Sequence, residues 1–85
     1  MQDNIPAQPP HSFRIMLELN TRVSRMDTTL LNSLKAQKEH LNLRNTTRQG
    51  LKNLFNEGKI QIKGQKARPS SALAKGVTYV DILGQ

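Results

Sequence analysis

Apolar and polar positions alternate along residues 12–19, SFRIMLEL. Phe13, Ile15, Leu17 and Leu19 fall on one face, and Arg14, Met16 and Glu18 on the other. That is the period of a half-buried strand. Met, Leu and Glu also suit a helix, but the alternation favours the strand. Residues 20–26 are a polar connection. From Asp27 the period lengthens: Leu30, Leu31 and Leu34 share one helical face. Asp27 is a suitable N-cap, because its carboxylate can accept from a free backbone N–H of the first turn. Lys35 and Lys38 suit the end of the helix, where the dipole favours cations. These signals predict a helix from Asp27 to Glu39 or His40, with His40 an exposed residue near its end and Leu41 and Leu43 in the connection that follows.

A second helix opens among Asn45, Thr46 and Thr47, all cap formers. Leu51, Leu54 and Phe55 form its apolar arc, and Arg48 and Lys52, one turn apart, border that arc on one side. Gly50 costs up to about 1 kcal/mol relative to alanine inside a helix, a cost that a close approach of the first helix would explain. Gly58 fits a left-handed C-cap. Residues 59–63, KIQIK, alternate again, and Gly64 allows a tight turn. Residues 65–75 read as an irregular return loop carrying Lys66, Arg68 and Lys75, with Gly76 a second turn point. Residues 77–83, VTYVDIL, are strand formers, expected to pair antiparallel with 59–63. Val77, Tyr79, Asp81 and Leu83 oppose Thr78, Val80 and Ile82 on this strand. The fold class is α+β: two helices on a small antiparallel sheet, with the 12–19 strand as an N-terminal extension.

Length limits the chain of 85 residues to one small domain with a modest core. Pro6, Pro9 and Pro10 make residues 1–11 a flexible tail, leaving 12–85 as the folded domain. There is no cysteine, and aromatic residues are limited to Phe13, Phe55 and Tyr79, so aliphatic side chains carry the packing, with Phe55 and Tyr79 in the core. No apolar run approaches a membrane span, and the polar, proline-rich start lacks the layout of a secretory signal, so a cytoplasmic location is expected. The net charge is +7. Residues 1–21 sum to −1 and residues 22–85 to +8, so the excess lies in the folded part. A basic domain this small concentrates anionic partners at its surface, nucleic acid first among them.

Catalysis needs a group that activates a nucleophile or moves a proton. Cysteine is absent, the two histidines fall at a tail end and a helix end, and the six acids are scattered. No glycine-rich phosphate loop and no metal-ligand spacing is present. The chain by itself is therefore expected to have no catalytic residue, cofactor or metal site.

The order of motifs from Arg25 to Ile82 resembles a known family. Arg25-Met26-Asp27-Thr28-Thr29-Leu30 is similar to the Arg-Leu-Asp-x-x-Leu opening of the S-four RNA-binding domain, named for ribosomal small-subunit protein four. Thr47-Arg48 resembles the Ser-Arg that begins its second helix. The stretch Leu54 to Gly64 resembles its helix-glycine-strand-glycine signature, with Lys63 in place of the usual asparagine. Pro69-Ser70 and Lys75-Gly76 resemble its return loop and final turn, and Val77 replaces the usual aspartate. The match covers residues 22–83. It implies the alpha-L fold of two helices on a small antiparallel sheet, and a monomer whose partner is structured RNA, rRNA or tRNA, the ribosome included.

Carried over by position, the resemblance puts Arg25, Arg48, Lys52, Lys59 and Lys63 on the RNA-facing surface, with Arg44 and Arg68 as further candidates. Arginine ranks above lysine because its planar fork matches two phosphate oxygens. The scarcity of aromatics favours reading shape and backbone over stacking on single-stranded bases. Two other readings stand beside it: the RNA-targeting module of a pseudouridine synthase or other RNA-modifying enzyme, and a protein- or DNA-binding module using the same face.

Overall fold

A four-stranded antiparallel sheet in the order β1-β4-β2-β3 carries the helices on one face in the computed structural model, which describes residues 5–85. The strands are β1 (Ser12–Leu19), β2 (Ile60–Ile62), β3 (Gln65–Lys66) and β4 (Gly76–Leu83). The helices are α1 (Met26–Ala36), α2 (Leu41–Arg44) and α3 (Arg48–Asn56). The fold is thus α+β, as expected, with one short helix more than the pattern announces.

The predicted pairing of the last strand is present: Ile60, Gln61 and Ile62 face Ile82, Asp81 and Val80. The longer ladder is the other one. All eight residues of β1 pair with β4, from Ser12↔Leu83 to Leu19↔Gly76. The N-terminal strand is therefore a full member of the sheet, and β4 is a central strand. The alternation sorts the faces. Ile15, Leu17, Ile60, Val80 and Ile82 are buried with Leu30, Leu31, Leu34, Leu43, Leu51 and Phe55 in one core. Burying each such side chain is worth about 1.5–3 kcal/mol.

Several local expectations shift. α1 begins at Met26, with Arg25 in the N-cap position and no side-chain cap. Met26 is fully buried, and its insertion into the core sets the helix start ahead of Asp27. The Asp27 carboxylate still accepts from the Thr28 N–H at 2.8 Å. α1 ends at Ala36, not at residue 39 or 40, because Gln37 is extended and its side chain closes a loop. Its Oε1 accepts from the Glu39 and His40 N–H groups, and its Nε2 donates to the His40 carbonyl. His40 is half-buried rather than exposed. It caps α2, its Nδ1 accepting from the Leu43 N–H, and its ring meets Phe13 edge-on at 5.4 Å. Within α2, Leu43 enters the core and Leu41 stays exposed.

Thr47 caps α3 by accepting from the Gly50 N–H at 3.0 Å. A Cβ at Gly50 would sit 3.3 Å from Thr47 Oγ1, so this glycine serves the capping turn and not an approach of α1. Gly58, at φ +73°, closes α3 in the expected left-handed form, with Gly58 N–H on Phe55 C=O and Lys59 N–H on Leu54 C=O. The return loop is not wholly irregular. Gln65 and Lys66 fold back on β2 as β3, and Leu73 exchanges two backbone bonds with Val23. Of the expected tail, residues 1–4 lie outside the described residues. Residues 5–11 run beside the sheet, where the Pro6 carbonyl accepts from Arg14 and the His11 carbonyl from the Gly84 N–H. Among the described residues no helix is long and apolar enough to cross a membrane.

Candidate nucleic-acid interface

The start of α3 gathers cations from three helices. Lys35 in the last turn of α1, Arg44 at the end of α2 and Arg48 at the first position of α3 line one shallow depression with Asn45, Thr46 and Thr47. All three cations are exposed, and none of the described residues lining the depression is acidic. The one-turn helix α2 makes this possible, since it brings Arg44 to the N-terminus of α3. The helix dipole and the free N–H groups of the first turn add positive potential at the same place. Lys52 follows Arg48 by one turn on the exposed side of α3. Arg44 and Arg48 were both expected at the site. Lys35 was read only as a helix-end cation; the i to i+9 separation from Arg44 gives no sign that they meet.

A second basic group surrounds the β2–β3 hairpin. Lys63 and Gly64 form its two-residue turn with φ of 53° and 76°, the pairing of positive values that a type I′ turn requires. The exposed Lys63 side chain stands at the tip. Lys66, on β3, lies across Gly58, where an added Cβ would come within 2.9 Å of its Cε. Lys66 is on a strand and not in the expected irregular loop, since nothing local in the sequence marks a two-residue strand. Lys59 is partly neutralised by Glu57, at 3.3 Å.

Arg25 and Arg68 stand differently. The Arg25 guanidinium meets the Asp27 carboxylate at 3.4 Å and 3.2 Å. That hydrogen bond holds the Asp27 carboxyl below its usual range and raises the arginine. Arg25 is still 59% exposed, yet its charge is shared with a neighbour. Arg68 is exposed in the return loop, its backbone N–H held by Ser71 Oγ. Neither lines the depression at α3.

Arg14, which nothing in the local sequence marks as a site residue, makes the most connected ion pair of the chain's described residues. Its Nε and Nη2 donate to the two Asp81 carboxylate oxygens at 2.7 Å and 3.0 Å. Nη1 donates to the Pro6 carbonyl at 2.6 Å, and the guanidinium lies 5.3 Å from the Tyr79 ring centroid. Tyr79 is therefore half-buried on the outer face under Arg14, not in the core as expected. The hydrogen bond to Asp81 raises the Arg14 pKa against the opposing effect of burial. This cation is spent on structure. Only the β1–β4 register, which sets Arg14 opposite Asp81, reveals the pair.

The arrangement offers clustered donors without neighbouring acids, a geometry that binds phosphate oxygens. Among the described residues no group of three or more His, Cys, Asp or Glu is placed to hold a metal ion. Comparison with protein-family models, with curated proteins and with solved structures gives no match to this chain.

Proposed function

We propose that this chain binds structured RNA through its phosphate backbone, with the depression at the start of α3 as the anchor. The observation that carries this reading is the convergence of Lys35, Arg44 and Arg48 on a helix N-terminus without a lining acid. Two arginines can each take two phosphate oxygens, and the dipole of α3 strengthens both contacts. Lys52, Lys63 and Lys66 extend the basic surface along α3 and the hairpin. The motif order that resembles the S-four domain supports RNA over DNA, and rRNA or tRNA as its class. In this reading the chain acts as a monomer in the cytoplasm, on the ribosome or another folded RNA.

The test is charge reversal. Arg44→Glu and Arg48→Glu are each expected to weaken binding to a hairpin RNA by more than tenfold. Both side chains are exposed, and a glutamate at the first position of α3 suits the helix dipole, so the melting temperature should hold. Hairpin RNA should bind more tightly than DNA of matched length. Unchanged affinity in both variants, or equal affinity for DNA, overturns the reading.

A further inference from the structure

The β2–β4 ladder ends at Ile62↔Val80, because the chain turns away at Lys63 and Gly64. β4 continues to Gly76, so among the described residues its first four residues have no strand on that side, while β1 pairs with all of them on the other. The direction of the backbone groups follows from one bond. The Leu83 N–H donates to the Lys59 carbonyl on the β2 side. Backbone groups alternate along a strand, so those of Asp81, Tyr79 and Val77 point the same way. The Val77 N–H and C=O thus face outward beyond the end of the ladder.

They open onto a cleft of about 620 Å³. Ile5, Ile62, Ala72, Ala74, Val77 and Tyr79 give it apolar walls. Lys63 and Lys75 also line it, and none of the described lining residues is acidic. Val77 is 50% exposed, high for a β-branched residue inside a strand. A strand edge next to apolar walls is a form that accepts an added peptide strand.

We propose that this edge of β4 is a docking site for an extended acidic segment of a partner protein, which adds as a strand beside Gly76–Tyr79. The main chain of the partner would pair with Val77, its apolar side chains would fill the cleft, and its carboxylates would meet Lys63 and Lys75. Four residues of such a strand span about 13 Å. Charge selects this occupant. A second copy of the chain would bring another +7 molecule to a lysine-lined edge. An RNA backbone could meet the lysines, the Val77 N–H and, through a 2′-hydroxyl, its carbonyl, but it brings no apolar side chains to the walls. An acidic peptide satisfies both groups and both lysines. This inference goes beyond RNA binding and does not depend on it.

The probe is an end-capped eight-residue peptide alternating Glu and Val, titrated into the ¹⁵N-labelled full chain. A control peptide carries Lys in place of Glu. The amide signals of Lys75, Val77 and Tyr79 should shift with the acidic peptide, and the basic peptide should bind at least tenfold more weakly. Val77→Pro removes an N–H that points away from β1. It should lower peptide affinity at least tenfold and leave hairpin RNA affinity within twofold. If that variant fails to fold, the double reversal Lys63→Glu/Lys75→Glu should invert the preference between the two peptides. Shifts absent from residues 75–79, equal affinity for both peptides, self-association through this edge, or a response of these amides to RNA instead of peptide would each overturn the proposal.

Discussion

His11 and Lys63 are the two described non-glycine residues with positive φ, and of these Lys63 is the type less suited to it, since histidine is enriched there. The Lys63 φ of 53° is left-handed, a region that costs a side chain with a Cβ about 1–2 kcal/mol. Asparagine tolerates it better through local hydrogen bonding. Lys63→Asn is therefore expected to stabilise the chain by about 0.5–1 kcal/mol, seen as a higher urea midpoint with an unchanged slope. A lower midpoint would mean that the lysine stem packs usefully in the turn. Gly64 was readable from the sequence as the turn residue. The strain one position earlier was not, since lysine itself gives no conformational signal. The same limit hid the cap of α1: Asp27 is the better capping residue in isolation, but burying Met26 moved the helix start.

At the scale of elements, β1 and β4 are joined across their outer face by Arg14 and Asp81. Asp81 is 1% exposed and Arg14 16%. Breaking a buried pair by removing one partner commonly costs about 3–5 kcal/mol, because the other charge stays buried and alone. The residual exposure of Arg14 lowers the expectation for Asp81→Asn to about 2–3 kcal/mol. The double variant Arg14→Leu/Asp81→Leu should lose less than the sum of the two single replacements. Urea unfolding of all four chains measures this, and additive losses would show the pair to be uncoupled. The alternation of β1 was legible residue by residue, and so was that of β4. Their pairing was not, because 56 residues separate the two strands and no turn between them fixes a register.

For the molecule as a whole, charge is organised by which acids are already engaged. Asp27, Glu57 and Asp81 each hold a basic partner, while Lys35, Arg44 and Arg48 gather in a depression without one. Three such cations on phosphate predict a slope of log affinity against log salt of about −2 to −3. Arg48→Ala should reduce its steepness by about one and weaken binding across RNA sequences alike. A slope near zero would place the binding energy outside the basic surface. The basic excess of residues 22–85 was visible in composition, as were Arg44 and Arg48. The part played by Lys35 and α2 was not, because it depends on where α1 stops.

The sequence by itself determined the class of each main element, the α+β composition, the glycine-closed end of α3 and the sign of the surface. These follow from local quantities: hydrophobic period, capping chemistry and formal charge. Tertiary structure decided what depends on contacts between distant segments. It set the central position of β4, the Arg14–Asp81 pair across it, the convergence of three helices on one basic depression, and the edge of β4 that, among the described residues, is left without a strand where β2 stops short. Each is a matter of register or helix length, and a shift of a residue or two moves a side chain to another face.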